Sequence, residues 1–166
     1  MEKEKGENNP SNILNQEFFD TIQLSKKINS KIKKINELSK YLTDSPNYIE
    51  IPEIKKKLSD LYNLLLTNLN ENNNNYVLAQ MNLIKILSKI INKEENFTNF
   101  IKLSLPKLFD KFYLSNPKIN DTLIEMFNEF ISFKILSIKD YYQYIENIPL
   151  EEEDNYRMNI INFLYD

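Results

Sequence analysis

The chain has 166 residues, 42% of them hydrophobic and 27% charged, with a net charge of −3, which suits one globular domain. It has no Cys, no His and one Gly, Gly6, which excludes thiol nucleophiles, disulfides, the usual zinc sites, imidazole-dependent triads, phosphate-cradling glycine loops and most tight β-hairpins. No apolar run is long enough to span a membrane, and no apolar secretory core follows Met1–Lys5, so the expectation is a cytoplasmic, non-catalytic, all-α domain.

Along the chain, apolar residues recur every three or four positions, the period of helices buried on one side. Residues 1–11 are charged and Asn-rich and are expected to form a disordered tail, with the folded domain over 12–166. Ile13, Leu14, Phe18, Ile22 and Leu24 mark a short first helix. Ile28, Ile32, Ile35, Leu38, Tyr41 and Leu42 form one stripe of an amphipathic helix over 28–43, ended by Asp44-Ser-Pro-Asn. Pro52 suits the first turn of the next helix, where its missing N–H costs nothing, and Ile54, Leu58, Leu61, Leu65 and Leu69 carry it to Asn70.

The Asn run that follows can cap free N–H groups ahead of Val77, Met81, Ile84, Leu87, Ser88 and Ile91. Phe97 to Phe112 forms another stripe, in which Pro106 should kink or divide the helix. After a loop at 115–118, Ile119, Leu123, Met126, Phe127, Phe130 and Ile131 face inward. Residues 135–148 read as a noisier helix with clustered Tyr141, Tyr142 and Tyr144. Glu151–Asp154 then open a last helix carrying Met158, Ile161 and Leu164 or Tyr165 inward.

Polar loops precede Val77, Ile119 and Tyr156, at intervals of about 42 and 37 residues. Two-helix repeats close to that length build arrays in which each pair buries its faces against its neighbours. The expected fold is therefore an α-solenoid of about four HEAT-type hairpins, with a closed helical bundle as the competing arrangement. In a solenoid, the turns inside the pairs gather at one edge, here 24–28, 70–75, 115–118 and 149–155. Residues 51–118 carry ten Lys against six Asp and Glu, which favours an acidic protein surface as partner. A nucleic-acid binder is usually more basic overall, so no nucleic acid is expected, and no membrane or cofactor.

The stretch LYNLLLTNLNENNNNYVLAQMNLIKILSKIINKEENFTNFIKLSLPKLFDKFYLSNPKINDTLIEMFNEF resembles the TOG domain, a HEAT-repeat module of microtubule polymerases and CLASP-type proteins. The landmarks are an Asn-bearing loop before Val77, the aromatic step Phe97–Phe100, Leu105-Pro106, and a polar loop leading to Ile119. Upstream, Ser25–Leu42 is similar to the family's first turn and helix, and NYRMNIINFLYD to its fourth-repeat helix, with Arg157 on the family arginine. The resemblance implies a cytoplasmic, cytoskeleton-associated domain, monomeric in isolation, that binds αβ-tubulin through its intra-repeat loops. It places Ile28 on the family's contact Trp, Lys31 on its Arg, and Asn116, with Lys118 nearby, on the basic residue of the third loop.

The candidate contacts under this resemblance are Lys26, Lys27, Ile28, Lys31, Asn74, Asn116, Lys118 and Arg157. Each has a structural reading beside it. The lysines also suit a solvated face in a lysine-rich chain, and Ile28 also suits the start of the core stripe it shares with Ile32 and Ile35. Asn72–Asn75 also suit a permissive loop, and Arg157 also suits an intrachain pair with the adjacent acids. Glu151–Asp154 read as a solvated capping run, because consecutive carboxylates on a helix point in different directions. Tyr141, Tyr142, Tyr144 and Phe133 lack a basic groove and read as helix packing. The competing function is a HEAT/armadillo-type scaffold of an unrelated assembly, such as a transport, translation or RNA-associated complex.

Overall fold

The structure is a computed structural model that describes residues 13–114 and 116–146. The expected tail and the expected last helix, with Arg157, lie outside the described residues. Eight α-helices follow one another there: α1 (Gln16–Leu24), α2 (Ile28–Asp44), α3 (Pro52–Lys55), α4 (Leu58–Asn68), α5 (Asn74–Ile90), α6 (Glu95–Asp110), α7 (Pro117–Ser132) and α8 (Ile138–Glu146). Short 3₁₀ turns occupy Pro46–Glu50 and Lys111–Tyr113, and there is no strand among the described residues.

The helices pack in two rows. In one row α2 lies on α5 and α5 on α7; in the other α1 lies on α4, α4 on α6 and α6 on α8. Neighbours within a row run parallel, as their side-chain pairs show. Lys85 pairs with Glu125, and one helical turn later Lys89 pairs with Glu129 at 3.1 Å, so α5 and α7 advance together. In the second row the Tyr62 ring stacks on Phe100, Lys107 Nζ donates to the Leu66 carbonyl at 3.0 Å, and Lys111 Nζ donates to the Glu71 carbonyl at 3.3 Å. These partners again keep one order. The separations along the chain are 40 for Lys85–Glu125, 41 for Leu66–Lys107, 40 for Glu71–Lys111 and 43 for Leu14–Lys57. They lie close to the interval of the loops in the sequence.

A single apolar cluster runs between the rows from Leu14 to Tyr141, and nearly every stripe residue read from the sequence lies in it. At its far end Phe109, Phe127 and Tyr141 join α6, α7 and α8, with the Phe127 ring 5.1 Å from Phe109 and 5.2 Å from Tyr141. Edge-to-face and offset rings at these separations add attraction beyond the area they bury. No helix among the described residues is long and apolar enough to cross a membrane.

Several local expectations are corrected. The helix expected over 52–70 is two helices, separated at Lys56–Lys57, where Lys57 N–H tightens onto the Ile54 carbonyl and its ammonium reaches the Leu14 carbonyl at 2.9 Å. Pro106 does not divide α6. It sits on an exposed position, as does Lys102, whose carbonyl loses its helical donor to the proline, while Leu105, Leu108 and Phe109 anchor the helix from the buried side. Leu24 leaves the core, being 74% exposed; two residues beyond Ile22 on a helix is a rotation of roughly 200°, onto the opposite face.

The end of α7 shows how a chain with one glycine closes a helix. Lys134 takes the left-handed conformation, φ 59°, where glycine is usual. The Ile135 N–H then bonds to the Phe130 carbonyl at 2.9 Å and the Lys134 N–H to the Ile131 carbonyl at 2.9 Å, while Ile135 is itself buried. This Schellman closure turns the chain toward α8. The expected helix over 135–148 consequently starts at Ile138, where Ser137 and Asp140 form a capping pair: the Asp140 carboxylate accepts from the Ser137 N–H at 2.8 Å and from its hydroxyl at 2.8 Å.

Candidate partner-binding edge

Three turns lead from the second row to the first: 25–27 between α1 and α2, 69–73 between α4 and α5, and the turn between α6 and α7. Side chains tie them side by side. The Lys31 ammonium, in the first turn of α2, lies 5.7 Å from the ring centroid of Tyr76 in the first turn of α5. Lys111 crosses from the third turn to the Glu71 carbonyl in the second. Gln23, near the end of α1, and Asn68, at the end of α4, line one open groove of 670 Å³. The three turns therefore share one edge of the two rows.

In the first turn the Ser25 N–H bonds back to the Thr21 carbonyl at 3.2 Å and the Ser25 hydroxyl accepts from the Lys27 N–H at 3.1 Å. This local closure leaves Lys26 and Lys27 exposed. Ile28 begins α2 half-buried against the core. Lys31 is only 8% exposed. It sits three residues after Ile28 and four before Ile35, on the buried stripe, so its stem packs inside while the charge rests over Tyr76. Lys31 is thereby corrected from a surface contact to an interior residue.

The second turn owes its shape to asparagine chemistry. Asn73 caps α5, its side-chain oxygen accepting from the Tyr76 N–H at 3.0 Å. Asn74 is the first helical residue and is exposed, as are Asn72 and Asn75. Behind them, Asn68 donates to the Leu64 carbonyl at 2.7 Å and Gln80 donates to the Asn68 carbonyl at 3.2 Å, closing the end of α4 from inside. Lys107 takes the Leu66 carbonyl in the last turn of α4, where a helix leaves its carbonyls without donors, and Lys111 takes the Glu71 carbonyl in the turn beyond, so cations of the next hairpin satisfy both. Burial pushes the Lys111 ammonium below the ordinary lysine value. Burial, with the Glu71 charge second, pushes the Tyr76 phenol well above its ordinary value.

In the third turn Asn116 is the N-cap of α7, its side-chain oxygen accepting from the Lys118 N–H at 3.1 Å and the Ile119 N–H at 3.4 Å. Lys118, in the first helical turn, is exposed. Of the eight candidate residues, then, Lys26, Lys27, Asn74 and Lys118 project from the shared edge, Ile28 and Asn116 are half-buried with structural tasks, Lys31 is interior, and Arg157 is outside the described residues. The sequence reading missed Tyr113, 41% exposed at the third turn, and Lys107 and Lys111 as clamps. Only their position at helix ends hinted at the clamping role.

Among the described residues no group of three or more His, Cys, Asp and Glu is placed to hold a metal ion. The site is thus a row of turns presenting lysines and amides from an all-helical scaffold. No protein-family model, curated protein or solved structure matches the chain.

Proposed function

We propose that the chain is a non-catalytic interaction domain, a short α-solenoid of HEAT-type hairpins resembling a TOG domain, that binds αβ-tubulin along the turn edge and so acts on microtubule dynamics. The observation that carries the reading is the parallel register of each row, with contacts recurring at about one hairpin's length along the chain. A closed bundle brings its first and last helices together, whereas the principal contacts here pass from each helix to the next in its row. Lys26, Lys27, Asn74 and Lys118 supply polar contacts to an acidic surface, and the packed helices between them set their spacing. The domain works in the cytoplasm as a monomer, without nucleic acid, membrane or cofactor. Mixing it with soluble tubulin at tens of micromolar and following co-elution tests the proposal; two separate peaks at all ratios refute it.

A second reading draws on Ile28 and Lys31. Both stand at positions the resemblance gives to partner contacts, and both are engaged by the fold instead. The chain is then a HEAT/armadillo-type scaffold of an unrelated assembly, using the face of a helix row. Charge reversal at Lys26 and Lys27 separates the two readings, since it abolishes edge binding and leaves face binding unchanged.

A further inference from the structure

We propose that Leu24 and Tyr113 are the apolar anchors of the turn edge, so that its partner surface is acidic and carries two apolar notches; this rests on the edge-binding reading above. Leu24 ends α1 in the first turn and is 74% exposed, and Tyr113 ends the 3₁₀ turn at the third and is 41% exposed. The other exposed large apolar residues among those described, Leu103, Ile138 and Tyr142, lie along α6 and α8 and away from the turns.

Helix phase sets Leu24 outward, because α1 buries Phe18 and Ile22 on its other side. The exposed Lys26 and Lys27 follow Leu24 in the chain, and the exposed Lys118 follows Tyr113 in the first turn of α7. Between the two runs the amide-rich second turn. An apolar residue close in sequence to an exposed lysine at each end, with uncharged amides between, lets each apolar side chain bury against a partner while the charge steers and orients it. α4 separates α1 from α6 in their row, so the anchors stand two helix spacings apart, roughly 16–20 Å. That span fits a folded protein face better than a single extended side-chain pocket. The apolar contact that the resemblance assigns to Ile28 is in this chain supplied by Leu24, four residues earlier and fully outside.

The test is a titration of soluble αβ-tubulin against the wild-type chain, Leu24→Ser, Tyr113→Ser, the Lys26→Glu/Lys27→Glu pair, and Leu103→Ser as an exposed apolar control away from the edge, at two salt concentrations. All the sites are exposed, and circular dichroism melts check that each variant keeps the fold. Each anchor variant is expected to weaken binding about tenfold with an unchanged salt dependence, while the lysine pair weakens binding and flattens that dependence. The control is expected to bind as wild type does. If wild type binds and both anchor variants bind within about twofold of it, the anchors are overturned and the edge reading stands. If wild type does not bind, both are overturned.

Discussion

Replacing Phe127 by alanine probes the architecture directly. Its ring is fully buried and meets Phe109 from α6, Phe112 from the following turn, and Tyr141 from α8. A Phe→Ala change in a packed core costs about 3–5 kcal/mol, the transfer of the ring plus the cavity it leaves, against a total domain stability of about 5–15 kcal/mol. In a linear stack the loss falls on the units that share the contact. Amide exchange in α7 and α8 is therefore expected to accelerate at least about a hundredfold, while α1 and α2, at the other end of the two rows, change by less than about fivefold. Hydrogen exchange resolved by peptide reads both ends in one experiment. Equal acceleration from α1 to α8 refutes the stack and indicates a core closed on itself.

Lys134→Gly removes the strain of a β-carbon in the left-handed region and is expected to raise stability by about 1 kcal/mol in urea unfolding, with no change in α7 or α8; a loss contradicts the assigned closure. Tyr76→Phe deletes a buried hydroxyl without a hydrogen-bond partner, so stability should hold or rise by up to about 1 kcal/mol, and a clear fall in melting temperature counts against its burial as described. Lys31→Met keeps the stem and removes the charge; it should cost no more than about 1 kcal/mol of stability and leave tubulin affinity unchanged, unlike the Lys26/Lys27 reversal. The Asp140 carboxyl is held below its ordinary value, chiefly by the Ser137 N–H, so its contribution is complete above the unfolded carboxyl value near pH 4 and is lost as pH falls through the lower folded value. Acid unfolding followed by circular dichroism should show this dependence weakened in Asp140→Asn.

Much of the helical layout is legible in the residues because stripes at three and four fix which face is buried, and Asn73 and Asn116 cap helices where amide-rich turns predict it. Lys31 is legible too: its spacing from Ile28 and Ile35 puts it on the stripe, whereas the resemblance assigned it to the contact surface. The break at Lys57 was not, because it depends on a carbonyl 43 residues away. Pro106 left open whether α6 is kinked or divided, for a related reason. A proline's effect depends on whether the carbonyl it strands can meet water, and that is a property of the assembled rows. Tyr113 carries no pattern of its own, since a 3₁₀ turn after a helix has no apolar period.

The lysines that reach back from α6 to the carbonyls at Leu66 and Glu71 make one hairpin's finish depend on its successor. A recombinant piece cut between α5 and α6 would keep every bond of its own helices and yet expose raw peptide oxygens and the flank of Tyr62, whose hydroxyl donates to Glu94 at 2.8 Å. Shortening the protein for engineering thus requires a purpose-built terminal cover, and during synthesis each hairpin stays unfinished until the ribosome has released the one behind it.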